Sequence, residues 1–162
     1  MDDEFQSAAL KVVQGNLQWQ CSRAKDRQHD FCALLIQGLP VFARNGVSFP
    51  EGEPSGMFDR IEIASPLGTL RLEFTYVLDD EGDICTAAVF TDRPAWTETQ
   101  ERRLLFAAML SNIGPWKGDD GADLYSRFGE HSAATIVDAV SRATARRLAC
   151  ESSRLKTFSA AR

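Results

Sequence analysis

The sequence predicts a single α+β domain spanning residues 1–162, with an antiparallel β-meander over about residues 57–90 packed against N-terminal and C-terminal helices. Three observations carry this. Leu70, Leu72, Phe74, Tyr76 and Leu78 alternate with Arg71, Glu73 and Thr75, the period of a strand with one buried and one wet face. Apolar stripes at helical spacing flank that region on both sides. A chain of 162 residues, 44% hydrophobic, is the size of one domain able to bury a core.

Phe5, Ala8, Ala9 and Val12 form the first stripe, behind the acidic Asp2, Asp3 and Glu4 that suit a helix N-terminus. This predicts a helix over about 3–14, with Gly15-Asn16 as its stop. The polar "QCSRAKDRQHD" leads into "FCALLIQGLPVF", which fits either the end of a helix begun near Arg23 or a buried strand. Phe31, Leu34 and Leu35 favour helix, and residues 31–46 stay open between the two. Asn45-Gly46 suits a type I′ hairpin turn or a helix C-cap equally. "PEGEPSG" at 50–56 is a loop within the domain, because neither half has much core alone.

The meander consists of "MFDRIEIA", "TLRLEFTYVL" and "DICTAAVF", joined by turns at Ser65–Gly68 and Asp79–Gly82. A capping box, Thr97 with Gln100, then predicts a helix over about 98–113. Its "LLFAAMLSNI" is apolar nearly all round and would be the most buried helix of the fold, ended by Gly114-Pro115. A last helix over about 133–152 has Ala133, Ile136, Val137, Val140, Ala143, Thr144 and Leu148 on its inner stripe.

Composition excludes several function classes. No apolar run approaches the roughly 18 residues that cross a bilayer, and "MDDEFQSAAL" lacks the positive start of a secretory signal. A cytoplasmic location follows as the expectation, with Cys21, Cys32, Cys85 and Cys150 reduced and no C-x-x-C pair among them. The net charge of −5 divides unevenly: residues 132–162 carry +4, which leaves −9 on the rest. An acidic body disfavours nucleic acid, whose phosphates need clustered positive charge, although the basic C-terminal helix keeps a nucleic-acid-associated regulator among the readings. Glycine cradles for phosphate and the G-x-S-x-G elbow are both absent, so no cofactor is implied.

The segment "GPWKGDDGADLYSRFGEH", residues 114–131, concentrates the candidates for chemistry. As an EF-hand loop started at Asp119 it fails, with Gly121 at position three and Leu124 where the turn needs glycine. As punctuation it reads better: "ADLYSRF" forms a short helix that buries Leu124 and Phe128, N-capped by Asp120 and closed by Gly129, with Asp119 and Lys117 exposed. A catalytic pool remains as the alternative, namely His131, Glu130, Asp123, Asp119 and His29, converging from separate loops for metal-assisted hydrolysis. Cys32, three residues after His29, is core material within an apolar run.

Without a catalytic constellation, the sequence favours a non-catalytic protein-interaction module, adaptor-, chaperone- or immunity-like. Trp19, Trp96 and Trp116, with Lys117, are its candidate anchors, because tryptophan dominates binding hot spots. The all-round apolar helix at 104–113 further suggests a two-fold homodimer.

Overall fold

The computed structural model describes residues 17–94, 96 and 101–160. Helix α1 (Leu17–Gln37) and the short α2 (Leu39–Arg44) precede strands β1 (Arg60–Ser65), β2 (Gly68–Leu78), β3 (Ile84–Asp92), β4 (Arg103–Leu110) and β5 (Lys117–Gly118). Helix α3 (Ala133–Ala160) follows. The choice left open at 31–46 resolves as helix: Ala24, Gln28, Phe31, Cys32 and Leu35 recur at helical spacing as the buried stripe of α1. Gly38 closes α1 by donating to the carbonyls of Leu34 and Leu35. Pro40 then lies in the first turn of α2, where no N–H is needed. Asn45 and Gly46 donate to Phe42 and Ala43 at the end of α2, with Gly46 at φ 73°, so this dipeptide is a helix cap rather than a hairpin turn. The expected helix at 3–14 and the Thr97–Gln100 capping box lie outside the described residues.

The five strands form one antiparallel meander in the order β1-β2-β3-β4-β5. Register aligns Ile61, Leu72, Phe90 and Phe106 across four strands. Both long helices cover the same face. Thr86 donates its hydroxyl to the Ala24 carbonyl of α1, and Asp92, on the same side of β3, pairs with Arg147 of α3. Phe31, Leu35, Leu72, Phe90, Phe106, Leu110 and Ile136 fill the core between sheet and helices. The opposite face carries the cross-strand pair Arg71–Glu62 at 2.7 Å. On the core face Leu70 and Leu72 are buried as the alternation predicts, whereas Tyr76 and Leu78, expected with them, are exposed where β2 runs past the helices. The acidic hairpin tip is a solvated turn, in which the Asp79 carboxylate accepts from the N–H groups of Glu81 and Asp83 and Gly82 adopts φ 81°. At the β1–β2 turn Gly68 adopts φ 122°, which strains any other residue, and a Cβ there would also displace the Arg147 guanidinium, 1.8 Å away.

One expected element is corrected. Residues 103–110 are the strand β4, not part of a helix at 98–113. A continuous apolar run has no period that separates helix from strand, and tertiary context decides between them. Here β3 offers a partner edge, and Phe106, Ala108 and Leu110 turn inward beneath the helices while Ala107 and Met109 face the other side. The bulge at Phe90/Thr91 absorbs one extra residue on β4 and leaves Leu104 opposite Thr91. The all-round apolar helix that suggested a two-fold homodimer is therefore absent from the fold. The last helix forms where expected and continues to Ala160.

A candidate interaction cleft at the loop end of the sheet

Residues 114–131 form a strap between β4 and α3. Leu124 donates to the Trp116 carbonyl at 2.8 Å, Tyr125 N–H donates to Asp138 of α3, and Arg142 donates to the Asp123 carbonyl. The short helix expected at "ADLYSRF" is absent. Leu124 is buried, but Phe128 is 91% exposed, and Asp120 caps a turn by accepting from Ala122 rather than starting a helix. Phe128 and Gly129 instead occupy the corners of a tight turn closed by reciprocal Arg127–Glu130 hydrogen bonds of 3.1 and 2.9 Å. Their φ values of 54° and 77° are those of a type I′ turn. The four-residue spacing of Leu124 and Phe128 matched a helix by coincidence, since Gly129 and the strap's hydrogen bonds to α3 impose the reverse turn.

A phenylalanine in the left-handed region costs roughly 1–2 kcal/mol relative to glycine, which burial does not repay and the Arg127 guanidinium, 5.3 Å over the exposed ring, offsets only in part. Across the gap, Ile113 is 80% exposed on a turn pinned by Ser111, whose hydroxyl accepts from Ile113 N–H and donates to its carbonyl. Between these two turns lies a cleft of about 370 Å³ lined by Arg27 and Asp30 of α1, Asn112, Trp116, Asp123 and His131. Three polar atoms in its walls are buried without a hydrogen-bond partner among the described residues: Arg27 Nε, Asn112 Oδ1 and His131 Nδ1. Arg27 Nε lies 3.1 Å from Asp30 Oδ2, but off line for a hydrogen bond.

The floor of the cleft is an aromatic stack. The His131 ring lies 4.0 Å from that of Trp116 at an interplanar angle of 16°, and Trp116 in turn stacks on Phe31 at 6.0 Å. Burial pushes the His131 pKa below its ordinary value; the Asp30 carboxylate opposes this and the Arg27 guanidinium adds to it. A histidine whose folded pKa is depressed stays neutral in the native state while the unfolded chain takes up the proton. Its contribution to stability is therefore full above the unfolded pKa of about 6.5 and is lost as pH falls from there through the folded pKa. Urea titrations from pH 8 to 5 should show this decline, and the His131→Gln variant should lack that component.

The other sequence candidates disperse. Asp119 leaves the pool, held by Arg146 at 2.7 Å and accepting from Ala107 N–H. His29 is exposed on α1, and Glu130 is exposed at the Phe128 turn; neither lines the cleft. Only His131 and Asp123 meet there, and among the described residues no three His, Cys, Asp or Glu are placed to hold a metal ion. Trp116 is only 3% exposed, which removes it as a surface anchor, whereas Lys117, Trp19 and Trp96 are exposed. Arg23 lies over the Trp19 ring, and Trp96 is held by Glu151 and Arg154 of α3. Sequence reasoning missed Arg27, Asp30, Asn112, Ile113 and the exposed Phe128, because no local spacing joins α1 to the β4–β5 loop.

All four cysteines are free. Burial raises the Cys32 thiol and pushes Cys85 up to about 11, so neither is poised as a nucleophile. No helix among the described residues is long and apolar enough to cross a membrane. Comparison of the chain with protein-family models, with curated proteins and with solved structures returns no match.

Proposed function

We propose that this chain is a non-catalytic, cytoplasmic protein-interaction module, adaptor-, chaperone- or immunity-like, that engages a protein partner at the loop end of its sheet. The observation that carries this reading is the Phe128 turn. A bulky side chain is held in a conformation that glycine would adopt more cheaply, and is presented 91% to solvent across the cleft from Ile113, which is 80% exposed. Strain of this kind persists where it positions a side chain for use. Rigid hydrophobic tips around a polar cleft supply what a hot spot needs: apolar area at low ordering cost, ringed by groups that give orientation.

Metal-assisted hydrolysis has less support, because of the histidines and carboxylates expected to share its site only His131 and Asp123 line the cleft. The nucleic-acid reading is weakened in a different way. Arg142, Arg146 and Arg147 of α3 are engaged by Asp138, Asp119 and Asp92, and Arg154 lies over Trp96, so the basic helix spends much of its charge within the fold.

Phe128→Gly should raise stability by up to about 1 kcal/mol, since it relieves the left-handed strain and buries nothing less. Paired with Ile113→Ser, it should abolish capture of the partner from the native host. A double variant that folds and still retains the wild-type partner overturns the reading, as does a loss of stability at Phe128→Gly.

A further inference from the structure

β4 is eight residues long, yet β5 pairs only with Ala108 and Met109. The remainder of its outer edge, residues 103–107, has no neighbouring strand among the described residues. Exposed edges of this kind template pairing with another chain unless something blunts them. Here two side chains stand in for the missing strand. Arg146 Nη1 of α3 donates to the Leu105 carbonyl at 3.1 Å, Asp119 Oδ2 accepts from Ala107 N–H at 3.2 Å, and the two close on each other at 2.7 Å. One donor and one acceptor thus occupy backbone positions two residues apart, the spacing at which an antiparallel neighbour would offer its own N–H and C=O.

We propose that this edge is a latent pairing site for a second copy of the chain, β4 against β4 across a two-fold axis near Leu105, held shut by the Arg146–Asp119 pair. Antiparallel pairing of identical edges is self-complementary, as a two-fold interface requires. The plug contains one cation, Arg146, held by Asp119 at 2.7 Å and more distantly by Asp120 at 3.7 Å. When displaced, Arg146 of one copy can neutralise the partner's Asp119. A second copy therefore restores both the backbone bonds and the ion pair, which an uncharged peptide strand cannot do. The plug is also replaceable: the side chains of Arg146 and Asp119 are 38% and 30% exposed, a setting in which an ion pair contributes little. Leu104, 60% exposed, adds apolar surface beside the same edge.

Sedimentation equilibrium of the full chain tests this. Arg146→Ala and Asp119→Ala, each opening the edge, should tighten self-association at least tenfold over the wild type. Adding Ala107→Pro, which deletes the outward N–H, should return either variant to the wild-type value. The two opening variants serve as folding checks on each other, with circular dichroism confirming native helix content. Unchanged association in both, or tightening that survives Ala107→Pro, overturns the proposal. None of these substitutions touches the Ile113–Phe128 cleft, so the outcome is independent of the partner-binding reading.

Discussion

Replacing Asp92 by alanine should cost about 3–5 kcal/mol of stability, enough to remove a large part of what a domain of this size holds in reserve. Asp92 is fully buried at the end of β3 and accepts two hydrogen bonds from Arg103, at 3.0 and 2.8 Å, with Arg147 of α3 at 3.4 Å. Deleting the carboxylate leaves two guanidinium groups, themselves mostly covered, without their common anion. The hydrogen bond to Asp92 holds the Arg103 pKa above its usual value, and its loss leaves that guanidinium charged, because an arginine side chain is not deprotonated in a folded protein. Arg103 also reaches Glu151, which receives the Trp96 indole, so the loss should spread to the docking of the distal part of α3. Urea unfolding monitored by circular dichroism measures the effect. Asp92→Asn, which preserves shape and one acceptor, should fall between wild type and Asp92→Ala. A cost below about 1 kcal/mol for Asp92→Ala would show that the arginines find other partners or water.

Trp116→Ala should cost about 3–5 kcal/mol as well, through loss of buried aromatic area and the cavity it leaves. Trp116 is wedged between Phe31 of the α1 core and His131 at the start of the strap's exit, so its removal opens the floor of the cleft. The same substitution should diminish the His131 component of the pH dependence, because the ring gains water and its pKa returns toward the ordinary value. Trp19→Ala and Trp96→Ala, at positions 54% and 48% exposed, should each cost far less in the same urea assay. If all three variants lose similar stability, the core position of Trp116 is wrong.

The comparison among these tryptophans shows where sequence reasoning stopped. All three read alike along the chain, as aromatics in polar, glycine-rich or proline-rich surroundings. Only the packing of α1 against the β4–β5 connection separates Trp116 from the others. The catalytic pool dissolved for a related reason. Asp119 and His131 are twelve residues apart in one loop, but Arg146, arriving from α3, draws Asp119 to the edge of β4. Local sequence carries no record of that partner.

What the sequence determined by itself is the part governed by local periodicity and turn chemistry. The alternation from Leu70 to Leu78 set β2, its flanking turns at Ser65–Gly68 and Asp79–Gly82 set the meander, and the stripe from Ala133 onward set α3. Each of these signals is written within one element and its neighbours, where an apolar face must match a helical or pleated period. The tertiary structure alone decided that "LLFAAML" is a strand, that Phe128 points to water and Trp116 to the core, and that Arg27, Asp30, Asn112 and His131 share one cleft. An apolar run without a period takes the conformation of the partner that offers it backbone hydrogen bonds, here the free side of β3. Side chains on α1, the β4–β5 loop and the strap meet only once the sheet has brought their ends together.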